Sequence, residues 1–268
     1  MAVKNEWDYD EFKNAFFQYT GLDLNLYKDK QMERRIRQLI KREAKPGFKE
    51  FYEYLAATPP ALDRFMNYLT INTSEFFRDE KVYNQLVAEI FPALIENFPG
   101  KLVVWSAGCS IGAEPYTIAI IMDRLKVLSR VEIHATDVDD KALLLAQKGC
   151  YNQKQLGKTQ PHVVEEYFLR ERDTFSVKPE IKKTVKFHRH NLFTDDPFPG
   201  CHMILCRNVF IYFKQEAQIF LLKRFSDSLK PGGYMVIGSS EYVSNPAQYS
   251  LIKRSNTIFQ KNYQHHPF

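Results

Sequence analysis

The chain has no apolar run near the ~18 residues that a membrane-spanning helix needs, and its first residues, Met-Ala-Val-Lys-Asn-Glu-Trp, hold no apolar secretion core. Neither membrane insertion nor export is expected, and a cytoplasmic location follows. The four cysteines, Cys109, Cys150, Cys201 and Cys206, form no C-x-x-C pair. In that compartment they read as reduced thiols. The seven histidines show no metal-ligand spacing, so no metal is expected. Gly-x-Gly-x-x-Gly is also missing, which argues against a dinucleotide site. The net charge is only +5, so where the positive charge sits matters more than how much there is.

What is present centres on Lys101 to Tyr116. Leu102 to Trp105 is a short β-rich run that suits a buried strand. Small residues follow: Ser106, Ala107, Gly108, Cys109, Ser110 and Gly112. Glu114-Pro115 then opens a helical pattern, with proline in its favoured first turn. Strand, small-residue turn and helix is how a doubly wound α/β domain begins a ligand site, because small side chains let a ligand reach the backbone. Glu114 is a poor neighbour for pyrophosphate. It is a good one for a cation or for ribose hydroxyls, which favours S-adenosylmethionine. A small-residue turn with no ligand would look the same.

The first residues read as a helical module. Asp8 or Asp10 can cap a helix that ends at Gly21. On a second helix, about Lys30 to Ala44, Met32, Ile36, Leu39 and Ile40 share one side. Arg34, Arg37, Lys41 and Lys45 lie opposite, with Arg35 and Arg42 flanking. Few acids interrupt this face. It is either a solvated surface or an electrostatic dock for a glutamate-rich helix or a nucleic acid. Thr70 to Arg78 comes next and turns from polar to aromatic to basic. It is either a ligand segment at a domain junction or a capped helix start with Phe76 and Phe77 packed inside.

Val131 to Thr136 reads as the second strand, with Asp137 at its tip, just over 20 residues beyond the turn. An acid there can reach ribose hydroxyls, and Asp139 or Asp140 can cap the next helix instead. Gly149 to about Thr184 breaks the alternation and reads as an inserted antiparallel lobe. Val185–Arg189 and Met203–Cys206 continue the main sheet. Gln215 to Leu229 is a helix, stopped by Lys230-Pro-Gly-Gly233 before a strand at Tyr234, and two late strands close the sheet. The expected boundaries are a helical domain at 1–75, linker helices at 76–98, and an α/β domain at 99–268 with its lobe at about 150–184.

Asn72-Thr-Ser-Glu-Phe-Phe-Arg78, Trp105 to Tyr116, Ala135-Thr-Asp-Val-Asp139 and Cys206-Arg-Asn-Val-Phe-Ile-Tyr-Phe213 together resemble the bacterial chemotaxis receptor methyltransferases (CheR type). Lys230-Pro-Gly-Gly233 and Gly238-Ser-Ser-Glu241 extend the resemblance to nearly the whole chain. It implies a seven-stranded Rossmann-like methyltransferase sheet behind a small all-α domain. It also implies S-adenosylmethionine-dependent methyl esterification of glutamates on the cytoplasmic helical bundle of chemoreceptors, with S-adenosylhomocysteine as product. Asn72, Ser74 and Arg78 would cover the cofactor, and Glu114 and Asp137, beside Ala107, would hold its polar groups. Asn191-Leu192 and Asn208-Val209 would frame its two ends. Arg78 and Tyr212 would orient the reacting groups, though Tyr212 reads equally as packing. Arg34, Arg37, Lys41, Arg42 and Lys45 would meet the receptor, and a monomer is expected. A nucleic-acid methyltransferase fits less well, because Arg-Asn-Val-Phe stands where an Asn/Asp-Pro-Pro-Tyr-like motif belongs. A non-catalytic adaptor fits less well because the turn acids are intact.

Overall fold

The computed structural model describes residues 7–70 and 74–263. The chain divides into two units, Met1–Ile71 with Tyr212–Ile219, and Asn72–Ile211 with Phe220–Phe268. No helix among the described residues is long and apolar enough to cross a membrane.

The first unit is helical: α1 (Tyr9–Thr20), α2 (Asp29–Arg42), α3 (Phe48–Ala57) and α4 (Pro59–Thr70). Asp8 caps α1, accepting from the Glu11 N–H at 2.9 Å while Glu11 accepts from the Asp8 N–H at 2.8 Å. This reciprocal pair satisfies two N–H groups that the first turn leaves without helix partners. Phe12, Phe16, Phe51 and Phe65 interlock in the core, Phe65 meeting Phe16 edge-on at 5.2 Å between ring centres. Met32, Ile36, Leu39 and Ile40 of α2 are all buried, as their helical spacing predicts. Residues Tyr212–Ile219 join this unit through the backbone. The Lys28 N–H donates to the Tyr212 carbonyl at 3.0 Å, and the Lys214 N–H donates to that of Leu26 at 2.9 Å.

The second unit opens with α5 (Glu80–Gln85) and α6 (Phe91–Asn97). Then come β1 (Leu102–Ala107), α7 (Ala113–Arg124), β2 (Val131–Asp137) and α8 (Asp140–Lys148). The lobe holds β3 (Cys150–Asn152), α9 (Pro161–Tyr167), β4 (Phe168–Glu171), β5 (Thr174–Val177) and α10 (Pro179–Lys182). The main sheet resumes with β6 (Val185–Arg189), β7 (Cys201–Cys206), β8 (Leu229–Ile237), β9 (Leu251–Lys253) and β10 (Ile258–Lys261), with α11 (Gln215–Ser228) before β8. Seven strands form the order β6-β2-β1-β7-β8-β10-β9. The first five run parallel, and β10 is antiparallel to both β8 and β9. β1 and β7 sit mid-sheet, and β7 is buried along its whole length. A strand covered on both faces reads as a continuous apolar run.

The lobe is the antiparallel sheet β3-β5-β4. Phe76 seats edge-on against Tyr151 (4.8 Å) and Phe168 (5.1 Å), and its N–H donates to the Gln155 carbonyl. The Tyr151 hydroxyl donates to the Ile111 carbonyl at 2.7 Å. The lobe is thereby fastened both to the turn after β1 and to the segment leading to Arg78.

Two expectations need correction. The lobe, expected as antiparallel strands, also carries two short helices, α9 and α10, that the sequence pattern did not reveal. Lys230–Gly233 is not a loop ahead of a strand, because β8 already begins at Leu229, opposite Cys201. The register slips between Cys201 and Met203. A Cβ on Gly233 would come within 2.9 Å of the His202 and Lys230 carbonyls. The glycine therefore lets the strand continue where its neighbour's backbone comes close.

Candidate functional site

The site is built at the C-terminal tips of β1, β2 and β7, where an open parallel sheet places its ligands. β1 ends at buried Ala107, and Gly108 follows with φ +78°. The Gly108 and Cys109 N–H groups both donate to the Thr136 carbonyl at 2.8 Å, tying the turn to β2. A Cβ on Gly108 would stand 2.7 Å from a Val209 methyl. Only glycine permits both that φ and that approach of the loop after β7.

Glu114 stands in the first turn of α7. It accepts from the Ser106 hydroxyl at 2.7 Å and faces the Arg207 guanidinium at 3.4 Å. Burial raises its pKa, while Arg207, Ser106 and Arg78 pull the other way. Arg78 is therefore close enough for its charge to act on Glu114. The carboxylate is thus held by a hydroxyl and a guanidinium at the first turn of α7. Asp137 ends β2. One of its oxygens accepts from the Ser110 N–H at 2.8 Å, the other from the Asp139 N–H at 3.0 Å. Burial raises its pKa to about 6, against the opposing pull of those donors. Asp139 caps α8 through the Lys141 and Ala142 N–H groups. The capping duty considered for this acidic run thus falls to Asp139.

β6 brings in the third element. Arg189 pairs with Asp137 across the sheet, and the His190 N–H donates to the Asp137 carbonyl at 2.9 Å. Asn191 follows directly. Its side-chain oxygen accepts from the Phe193 N–H at 3.0 Å, which fixes the turn that carries half-buried Leu192. The fourth element is the loop after β7. Asn208 has φ +61°, and its N–H donates to Glu241 at 3.0 Å. The same carboxylate accepts from Gly238 at 2.6 Å and Ile211 at 3.3 Å. Burial raises the Glu241 pKa, with four backbone donors opposing it.

Ala107, Glu114, Asp137, Asn191, Leu192, Asn208 and Val209 are thus gathered on neighbouring strand tips. Arg78 lies in the segment whose carbonyl Arg207 holds, and its charge acts on Glu114. Ser74 is half-buried in the segment before it. Asn72 lies outside the described residues. Tyr212 ends a short helical turn, Phe210–Tyr212, and belongs to the first unit.

The basic face of α2 is less uniform than its sequence suggests. Arg34, Arg37, Lys41 and Arg42 are exposed and Lys45 is half-buried. Arg37 pairs with Glu33 one turn earlier at 2.7 Å and also covers the Phe48 ring. Lys45 lies over Tyr54 at 4.1 Å, and Arg42 is 3.6 Å from Glu43. Arg35 packs over Tyr68. Among the described residues, Arg34 and Lys41 have no side-chain partner.

Sequence reasoning gave no role to Arg207, Asp79, Tyr83 or Glu241. Arg207 and Glu241 stand inside the quoted motifs, and an arginine directly after a wholly apolar strand was the available signal. Their partners, however, are up to 129 residues away, which spacing along the chain cannot show.

A small-residue turn, a carboxylate in the first turn of its helix and a buried acid at the next strand tip suit a cationic nucleoside with free ribose hydroxyls, and so fit S-adenosylmethionine. Residues 72–258 match the family model described as CheR methyltransferase, SAM binding domain. Residues 7–70 match the one described as CheR methyltransferase, all-alpha domain. A chemotaxis protein methyltransferase of Listeria innocua serovar 6a is 39% identical over 261 residues, covering 97% of this chain and 100% of that protein. Its counterpart in Listeria monocytogenes serovar 1/2a is 38% identical over the same length. The Vibrio cholerae chemotaxis protein methyltransferase 2 is 28% identical, covering 94% of this chain and 91% of that protein. With both of its domains matched, the chain belongs to the CheR methyltransferase family.

Proposed function

We propose that the protein transfers a methyl group to glutamate side chains on the cytoplasmic helical bundle of chemoreceptors, forming methyl esters for sensory adaptation. The observation that carries this reading is the turn after β1, with the part-buried Glu114 in the first turn of α7 and the buried Asp137 at the tip of neighbouring β2. When bound, S-adenosylmethionine supplies an electrophilic methyl group on a sulfonium and leaves as S-adenosylhomocysteine.

The chain's own residues bind, orient and exclude water. Glu114 favours the cationic end of the cofactor, and the oxygens of Asp137 accept from ribose hydroxyls. Asn191-Leu192 and Asn208-Val209 frame the two ends, and Asn72 and Ser74 cover them. The incoming glutamate is already ionised at neutral pH, its ordinary pKa being ~4.3. No strong general base is required. Arg78 orients this carboxylate, and Tyr212 is a second candidate for that work. Positioning and the displacement of water from two opposite charges then carry the rate. The helical domain, residues 1–75, docks the acidic receptor helix through its basic face. Residues 76–98 link it to the cofactor domain, 99–268. The enzyme acts as a cytoplasmic monomer.

Tritiated methyl transfer to receptor-containing membranes tests this reading, with RNA as the control acceptor. Base-labile label on receptor is expected, and Arg78→Ala should lose most of it while still binding S-adenosylhomocysteine by calorimetry. Label on RNA, or base-stable label, overturns the proposal. Near-normal transfer by Arg78→Ala removes Arg78 from the site.

A further inference from the structure

Arg207 is the most heavily engaged buried charge in the second unit. Its side chain is 3% exposed. One terminal nitrogen donates to the Tyr83 hydroxyl at 3.1 Å and faces Glu114 at 3.4 Å. The other donates to the Arg78 carbonyl and to the Asp79 carboxylate, both at 2.8 Å. The guanidinium also lies over the Tyr83 ring at 5.1 Å. Burial alone would weaken its charge, but Tyr83, Glu114 and Asp79 outweigh that and raise its pKa. It stays a cation at any working pH.

What this fork grips is unusual. Phe77 has φ +51° and Asp79 has φ +62°, so Arg78 sits between two non-glycine residues in the left-handed region. For Phe77 this costs about 1–2 kcal/mol, and it persists only where its surroundings hold it; aspartate enters the region more readily. The holding contacts are visible. The Phe77 N–H donates to the Thr117 hydroxyl at 3.3 Å, and Arg207 takes both the Arg78 carbonyl and the Asp79 side chain. The other side of the same guanidinium faces Glu114, the acid of the cofactor turn. One planar group thus sets the backbone that carries Arg78 against the carboxylate that faces the cofactor.

We infer that Arg207 is a positioning residue for methyl transfer, locking the strained Phe77–Asp79 backbone so that the Arg78 side chain stands at a fixed place beside Glu114. This rests on the role of Arg78 proposed above. A lysine keeps the charge but is a single point donor without the fork, so it cannot serve Asp79, the Arg78 carbonyl, Tyr83 and Glu114 together. Misplacing a reacting group by an ångström slows a reaction by roughly 10²-fold.

The test is a double-mutant cycle on the full chain, read by methyl transfer to receptor-containing membranes and by calorimetry with S-adenosylhomocysteine. Arg207→Lys is expected to lower turnover about 10- to 100-fold, with product affinity changed less than about threefold. In an Arg78→Ala background the same change should lower turnover by less than about twofold, because the group it positions is gone. Asp79→Asn loosens the same grip from a part-exposed residue. It should show the same dependence on Arg78, and it decides the matter if Arg207→Lys does not fold. Wild-type turnover in both variants, or a loss of equal size with and without Arg78, overturns the inference. A wild-type protein that binds S-adenosylhomocysteine but esterifies no receptor overturns the proposed function instead, so the two failures are distinguishable.

Discussion

Asp137→Asn separates two effects that the buried acid combines. In the folded protein its pKa rises from an ordinary 3.8 to about 6, chiefly through burial. At ~1.4 kcal/mol per tenfold change in proton affinity, charging it costs folding about 3 kcal/mol. The sign follows from linkage. The folded state holds the proton more tightly than the unfolded chain, so the contribution of Asp137 is best below pH 3.8. It is lost progressively up to about pH 6 and is flat above that. Asparagine carries no charge and has no such slope. It brings a fixed penalty, because its amide NH₂ must face one of the two N–H groups, Ser110 or Asp139, that the carboxylate now accepts from. That loss is about 1–3 kcal/mol and independent of pH. The quantity to measure is therefore the stability gap between variant and wild type. Urea unfolding at several pH values between 4 and 7 should show the gap moving by about 3 kcal/mol in favour of the variant as pH rises. Its affinity for S-adenosylhomocysteine should fall at least about tenfold at pH 7, since an NH₂ cannot accept from a ribose hydroxyl. A gap that stays constant, or that moves toward wild type on raising the pH, refutes the assignment of a strained buried charge at the tip of β2.

Three further outcomes are expected. Gly108→Ala adds about 1–2 kcal/mol for its left-handed φ and about 1–3 kcal/mol of overpacking on Val209. Adding Val209→Ala should recover only the second part in urea unfolding; full recovery would show that φ is not at issue. Arg34→Glu with Lys41→Glu should slow receptor methylation several-fold, flatten its salt dependence and leave stability within about 0.5 kcal/mol. Unchanged receptor kinetics would mark the face as solvated. Burial lowers the pKa of His202 from 6.5 to about 4, and its ring accepts from the Val103 N–H. Because the folded state resists protonation there, His202 withdraws stability as pH falls from 6.5 toward 4, opposite in sign to Asp137. A His202→Gln protein should therefore unfold with a smaller acid-side loss than wild type.

Where the sequence could be read depended on how local the determinants are. The α2 core stripe, the Asp8 cap and the strand, turn and helix around Gly108 are each written within one window of residues. The doubly wound α/β domain and the inserted antiparallel lobe followed from that alternation and its interruption. The early start of β8 did not, because Pro231-Gly232-Gly233 reads locally as a loop. What carries the strand through is a neighbouring backbone close enough to exclude a side chain from Gly233. The basic face is less uniform than its sequence suggests for a related reason. Counting charges along α2 cannot show that Arg37 already pairs with Glu33 or that Lys45 lies over a tyrosine contributed by α3.

Three carboxylates of the site, buried Asp137 and part-buried Glu114 and Glu241, follow one rule in two forms. A buried carboxylate stays charged only if donors replace its lost water. Asp137 and Glu241 find theirs in backbone N–H groups, from the turns that they in turn hold in place. Those donors sit in the turns themselves, so side-chain substitution cannot delete them directly. Glu114 instead takes a hydroxyl and a guanidinium, which are side chains and therefore open to change. The charge of Arg78 also acts on it. A cationic cofactor arriving near Glu114 meets an acid already facing Arg207, so part of that attraction is offset. That leaves positioning, rather than tight cofactor binding, as the route by which this arrangement accelerates methyl transfer.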